Sequence, residues 1–138
     1  MTVTVYKNAQ FQGCDTTKDF AVEDGRFAKI GGDLKEFEKA GNTVDLKGNL
    51  VIPPFADAHI HLDYVYTASL PTHETTSGTL FEAIDNWSDS KTALTADIIR
   101  DRALKAVKMQ ISHGVQYVRS HVDVTDPKLT ALKAMLEL

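Results

Sequence analysis

Hydrophobic and polar residues alternate at the start of the chain, where Val3 and Val5 are set between Thr2 and Thr4, a period of two that predicts a short half-buried strand. Phe20 and Val22 lead into Asp24-Gly25, and Phe27 and Ile30 lead out. Two strand-like runs around that tight-turn dipeptide predict a hairpin that ends at Gly31-Gly32. A charged stretch over 33–40 reads as one or two helical turns, and extended character resumes from Thr43 to Ile52 around Lys47-Gly48-Asn49. Pro53-Pro54 then removes two backbone donors and holds its predecessors extended, which stops helix and strand alike and marks a junction. Residues 1–52 are expected to be part of a small, β-sandwich-like domain.

Beyond the junction the pattern changes. From Phe55 to Asp63, an extended chain places Ala56, Ala58, Ile60 and Leu62 on one face and Asp57, His59, His61 and Asp63 on the other. Leu80, Phe81, Ile84 and Trp87 recur at helical spacing. A longer helix follows, with Thr95 as its N-cap, Ile98, Leu104, Val107 and Ile111 as its apolar stripe, and Gly114 at its end. Val115 to Val124 reads as a second strand, with Val118, Val122 and Val124 on one face and Tyr117, Arg119, His121 and Asp123 on the other. Asp126-Pro127 then supplies an N-cap and a first-turn proline for a helix carrying Leu129, Leu132 and Leu136. Strand, helices, strand, helix is the rhythm of βα units on a parallel sheet. Residues 53–138 are expected to hold the first two such units; a closed eight-unit barrel takes about 250 residues.

Composition narrows the class. Apolar residues at 43% and charged residues at 25% suffice for a packed core and argue against disorder. Fifteen Lys and Arg against nineteen Asp and Glu leave a net charge of −4, with no basic run to track a phosphate backbone, so nucleic acid is not the expected partner. Cys14 is the only cysteine, which excludes an intramolecular disulfide and a Cys-x-x-Cys site. No apolar run resembles a secretory leader or a membrane span, and a cytoplasmic setting is expected. Asn86-Trp87-Ser88 matches a glycosylation sequon by pattern alone.

The chemistry gathers at His59 and His61. Residues two apart on a strand project from the same face about 6.6 to 7 Å apart along the backbone, close enough for two imidazoles to lean toward one ion. Neutral imidazole suits zinc and iron, and such a cation acidifies water into a nucleophile. By itself, His-x-His is also what a surface pair or two hydrogen-bonded core histidines would give. His121 and Asp123 lie at the C-terminal end of the second strand, where barrel enzymes place chemistry; they are candidates for catalysis or for a structural network with Arg119. Asp63 is placed either to accept a hydrogen bond from a metal-binding histidine or simply to start a loop. His73, in a Pro/Thr-rich loop, and His113, at a helix end, are expected to be solvent-exposed or capping.

The run from Asp45 to Asp63, with Pro53-Pro54 ahead of Ala58-His59-Ile60-His61-Leu62-Asp63, resembles the first barrel strand of the amidohydrolase superfamily, which enters through a Pro-containing turn and ends in His-x-His. Three further stretches narrow the resemblance to the bacterial cytosine deaminases. They are Ser77-Gly78-Thr79-Leu80-Phe81-Glu82, the run Arg119 to Val124, and the run Leu129 to Glu137, and the likeness extends over most of the chain from residue 20 onward. Pro54, where many amidohydrolases have Gly, is shared by that branch.

The resemblance implies an α/β fold that is the N-terminal portion of a TIM-type (β/α)8 barrel. It implies one divalent metal ion, Fe2+ or Zn2+, held by His59 and His61, with a further His and Asp, a proton-shuttling Glu and an orienting His supplied by later strands. The implied reaction is attack of metal-activated water on the ring carbon bearing the amino group of a nucleobase-like small molecule, through a tetrahedral intermediate, with loss of ammonia. Leu80 would line the substrate pocket, or be ordinary core. An N-alkyl triazine, isocytosine or a related ring is an alternative substrate, and a stand-alone metal-binding or interaction module without catalysis is an alternative function. A chain holding two units of a barrel is expected to be inactive alone. Its open sheet edge is expected to drive self-association or pairing with the missing barrel segment.

Overall fold

A computed structural model describes residues 2–68 and 77–138, and His73 lies outside the described residues. The chain divides into two compact units, Met1–Pro53 and Pro54–Leu138.

The first unit is one mixed sheet built on its longest strand. Strands β1 (Val3–Phe11), β2 (Lys18–Glu23), β3 (Arg26–Ile30) and β4 (Asn42–Asp45) are ordered β3-β2-β1-β4, and the short β5 (Leu50–Val51) also pairs with β1. The Asp24-Gly25 turn joins β2 to β3 with both residues at positive φ, 48° and 77°, the backbone that a two-residue hairpin of this twist requires. The first strand runs well beyond the Val3–Val5 alternation, and its pairing with β2 shifts register between Tyr6 and Ala9, where Asn8 sits at φ 56°. The Asn8 backbone N–H donates to Asp19 and its side-chain amide to Asp45. On either side of this irregularity β1 pairs in parallel first with β4 and then with β5.

Within the described residues of this unit no second sheet is stacked on the first, as a sandwich-like build requires. The helix α1 (Lys35–Ala40) takes its place: Val5, Ala21 and Leu34 form a buried cluster with Phe37 packed against it. The other parity of the sheet carries rings, with Tyr6 stacked on Phe20 at 4.9 Å and Phe11 and Phe27 flanking Phe20. Where α1 meets β4 the backbones come so close that a Cβ on Gly41 would lie 2.1 Å from the Val3 carbonyl oxygen, so only glycine fits there.

The second unit follows the βα rhythm. Strands β6 (Phe55–Ile60) and β7 (Val115–Ser120) pair in parallel. Between them lie α2 (Leu80–Ser90), a 3-10 turn (Lys91–Ala93) and α3 (Ala96–Ser112), and α4 (Thr130–Leu136) follows β7. Two strands do not close a barrel, and the fold of this chain is mixed α/β. Thr79 and Thr95 cap their helices by accepting from the Glu82 and Ile98 backbone N–H groups, and Glu82 reaches back to the N–H groups of Ser77 and Gly78. Gly114, at φ 85°, ends α3 and hands its carbonyl to the Phe55 N–H at the start of β6.

Several faces differ from the periodicity. On α3 the buried residues are Ile99, Ala103 and Ala106, while Ile98, Leu104 and Ile111 of the expected stripe stay exposed. On α4 the buried residues are Ala131 and Ala134, and Leu136 is 79% exposed. The alanines let the two helices approach closely, and Leu94, Ile99, Ala131 and Ala134 make one cluster while Leu62, Ala103 and Ala106 make another. The longer side chains leave through the open sides. Nor does α4 begin at Asp126-Pro127: Asp126 accepts from the Lys128 and Thr130 N–H groups and closes a turn, Leu129 sits at φ 53°, and the helix starts only at Thr130. Strand β7 stops at Ser120 rather than Val124, because beyond it the Asp123 and Asp126 carboxylates turn the chain by accepting from the Thr125 and Lys128 N–H groups. Val122 packs on a core cluster, whereas Val118 and Val124 are exposed.

Candidate functional site

The C-terminal ends of β6 and β7 bring together three histidines. The rings of His59 and His61 lie 5.4 Å apart, and His121 lies 4.0 Å from His59 and 5.7 Å from His61. The His121 N–H donates to the Ile60 carbonyl at 2.7 Å, which continues the strand pairing one residue past β7 and fixes the two strand ends side by side. Alternation along β6 keeps His59 and His61 on one side, while Ile60 and Leu62 pack toward Ala103 and Ala106 of α3.

Asp57 does not join them. The register of the β6–β7 pair slips between Asp57 and Ile60, and a slip of one residue changes the face that a side chain occupies. Asp57 instead accepts a hydrogen bond from the Gln110 amide on α3 and turns its other oxygen to the His59 N–H. Ala56 and Ala58, expected on the apolar face, are exposed at this irregular stretch.

Asp63, one residue pair further on, lies past the strand in a turn and is 2% exposed. One of its carboxylate oxygens accepts from the Asp123 N–H at 2.8 Å, and the other faces His61 Nδ1 at 3.6 Å. Both of these facing atoms, Asp63 Oδ1 and His61 Nδ1, are buried and have no other partner. With Nδ1 turned to a carboxylate, the lone pair of His61 is left on Nε2, the nitrogen that a metal would take.

Asp123, a catalytic candidate by sequence, is consumed by structure. Trp87 Nε1 donates to it at 2.7 Å, Lys91 at 3.1 Å, and Thr125 through both its N–H and its hydroxyl. Burial pushes its carboxyl up, but the hydrogen bonds from Thr125, Trp87 and Lys91 prevail and hold it well below the usual carboxylate range. Arg119 is not among these partners; its charge acts on His121. Desolvation of His121, then the His59 and His61 rings and Arg119, keep that imidazole below its usual pKa. Its near-parallel stack on His59, 20° between planes, is a packing geometry rather than a convergence of two lone pairs. Leu80, at the first residue of α2, is 72% exposed, and it is not among the residues lining the cleft at the histidines. His113 caps the end of α3, with Nδ1 at 2.8 Å from the Met109 carbonyl.

That cleft measures about 450 Å³ and is lined by His59, His61, Tyr64 and Tyr66 together with the small and aliphatic residues of the turn. Tyr64 and Tyr66 were not legible as site residues, since they follow the strand in a turn with no periodicity. Tyr64 stacks on His61 at 4.8 Å, and its phenol is raised in pKa by desolvation and by the Asp63 and Asp123 carboxylates.

The donors present fit part of a metal site. With metal–nitrogen bonds of about 2.1 Å, two imidazoles on a tetrahedral ion have ring centres about 5 Å apart, and His59 and His61 stand at 5.4 Å. Among the described residues no group of three or more His, Cys, Asp and Glu side chains is arranged to hold an ion. No described helix is long and apolar enough to cross a membrane.

Two parallel strands thus end beside a His-x-His pair with a buried carboxylate behind one imidazole, on a mixed α/β scaffold. Residues 42–137 match the amidohydrolase family, and the chain belongs to it. It is similar to the 5-methylcytosine deaminase of Klebsiella pneumoniae, solved with phosphonocytosine, at 40% identity and a TM-score of 0.83 over 96% of this chain and 32% of that one. It is 32% identical to the N-isopropylammelide isopropyl amidohydrolase of Pseudomonas sp. (strain ADP) over 137 residues, 96% of this chain and 34% of the relative. The N-isopropylammelide isopropylaminohydrolase of Burkholderia multivorans ATCC 17616 shares the fold, with a TM-score of 0.77 at 23% identity over 99% of this chain and 34% of that one. The chain thus spans about a third of the length of these relatives.

Proposed function

We propose that this chain carries the first two βα units of a metal-dependent amidohydrolase that hydrolytically deaminates a cytosine-like ring. The observation that carries the reading is the pair His59 and His61, on one side of β6 with rings 5.4 Å apart and the buried Nδ1 of His61 aimed at Asp63. The pyrimidine substrate draws support from the 40% identity to a 5-methylcytosine deaminase, against 32% to the N-isopropylammelide relative.

In this reading His59 and His61 hold one divalent cation, Fe2+ or Zn2+. Bound there, the cation supplies Lewis-acid activation of water. Asp63, facing Nδ1, favours the His61 tautomer whose lone pair lies on Nε2, and Asp123 ties Asp63, α2 and the end of β7 together. The cleft beside the histidines is walled by Tyr64 and Tyr66, flat surfaces against which a planar ring packs. The remaining ligands and the proton-transferring groups would come from outside these 138 residues, so the chain alone is expected not to turn over cytosine.

The test is titration of the chain with Zn2+ and Co2+ by calorimetry, alongside His59→Ala and His61→Ala. Binding of one ion per chain that each substitution abolishes is the expected result. Binding unaffected by either change would return the two histidines to the status of a surface pair and end the metal reading.

A further inference from the structure

An imidazole that binds a metal must be restrained in two ways: something must hold its free nitrogen, and something must hold the plane of the ring. Asp63 addresses the first, at the Nδ1 edge of His61. At 3.6 Å that contact is too long for a hydrogen bond to fix the ring plane. The face of the ring is covered by Tyr64, whose ring lies 4.8 Å away with 27° between planes, a stacked geometry that opposes rotation of the imidazole about its Cβ–Cγ bond.

Tyr64 is braced from behind. Trp87, in α2, packs on it with ring centres 5.0 Å apart and 45° between planes. The Trp87 indole is itself fixed, because Nε1–H donates to Asp123 at 2.7 Å and that carboxylate is tied to Lys91 and Thr125. The Asp123 N–H donates to Asp63. Asp63 and Tyr64 therefore trace back to the same residue, one through its backbone amide and the other through Trp87. His61 sits at the point where the two paths meet.

We propose that Tyr64 is a positioning residue for His61, clamped between His61 and Trp87 so that the plane in which His61 presents its outward nitrogen is set by stacking. The proposal rests on the reading of His59 and His61 as metal ligands. The stack uses the ring and not the hydroxyl, so phenylalanine preserves the function and leucine, of similar apolar area but without a flat face, does not. Through Trp87 the end of α2 is coupled to a metal histidine that it does not touch.

The test compares Tyr64→Phe with Tyr64→Leu in the full chain by two measurements. In the metal-free chain, the His61 ring C–H signals are expected to sit upfield under the Tyr64 ring current, to stay there in Tyr64→Phe and to move downfield in Tyr64→Leu. In Co2+ titration the leucine variant is expected to bind about three- to tenfold more weakly, while the phenylalanine variant stays within about twofold of the parent. His61 signals that coincide in the leucine variant and the parent overturn the stack itself. Displaced signals with unchanged Co2+ affinity overturn the positioning role. Absence of any binding that depends on His59 and His61 overturns the metal reading, and the positioning role with it, while the ring-current comparison still decides whether the stack exists. Should the leucine variant not fold, Trp87→Phe removes the bond to Asp123 while keeping a ring. A smaller His61 displacement and weaker Co2+ binding are then expected, and parent-like values in both contradict the brace.

Discussion

Asp63 Oδ1 and His61 Nδ1 face each other across 3.6 Å, each buried and each without another partner. Two polar atoms are not left so in an interior unless they serve one another, since an unsatisfied buried group costs about 1–3 kcal/mol. Asp63→Ala is expected to destabilise the chain by about that amount, because the Asp123 N–H loses its acceptor as well, and to weaken metal binding by about 10- to 100-fold. Asp63→Asn separates the two effects. Its oxygen still accepts from Asp123, but its amide turned to His61 donates to Nδ1 and moves the ring proton to Nε2. Stability near that of the parent with markedly weaker Zn2+ binding is expected from urea denaturation and calorimetry; equal Zn2+ affinity would show that Asp63 does not set the tautomer.

Acid should loosen the second unit through Asp123 and Asp126. Hydrogen bonds from Thr130 and Lys128 bring Asp126 down to about 2, and those from Thr125, Trp87 and Lys91 depress Asp123 despite its burial. A carboxyl whose folded pKa lies below its unfolded value of about 3.9 contributes stability that is complete above that value and is lost as pH falls through the folded pKa. Thermal midpoints are therefore expected to be flat from pH 7 to about 5 and to decline below about 4. Asp123→Asn should lower the midpoint at pH 7 and make the acid decline shallower, and an unchanged acid profile in this variant would contradict the assignment.

Gly41→Ala is expected to destabilise the first unit by about 1–3 kcal/mol, read from the urea midpoint. The cause is space and not backbone strain, since φ at Gly41 is −152° and the new Cβ would meet the Val3 carbonyl at 2.1 Å. A parent-like midpoint would mean that α1 and β1 part easily.

The isolated chain is expected to self-associate. Among the described residues β6 pairs only with β7, and Leu80, Phe81, Ile111 and Leu136 are each more than half exposed. Light scattering after size exclusion should give a mass above the 15.2 kDa of one chain, falling toward it when Phe81→Glu and Ile111→Glu are combined. A monodisperse monomer would refute this.

Much of the second unit was legible because its signals are local. Thr95 caps a helix wherever a run of helix formers follows it, Gly114 ends one because it tolerates positive φ, and His59 and His61 share a side because a strand alternates. The helix faces were not legible. Of the stripe Ile98, Leu104, Val107 and Ile111, Val107 packs against the core but the other three stay exposed, and the buried contacts of α3 run through Ile99, Ala103 and Ala106, because backbone proximity favoured the smallest side chains.

What the amino-acid order determined alone is the alternation of strands with helices, the turn at Asp24-Gly25, the break at Pro53-Pro54 and the pairing of two histidines, each set by interactions within a few residues. What only the tertiary structure decided is which groups stand around those histidines. Asp57 was turned away by a slip in strand register, Asp123 was drawn into a network with Trp87 and Lys91 some thirty residues earlier, and Tyr64 was laid on His61 by a helix that supplies its backing. Such contacts depend on distances across the fold, and no periodicity along the chain encodes them.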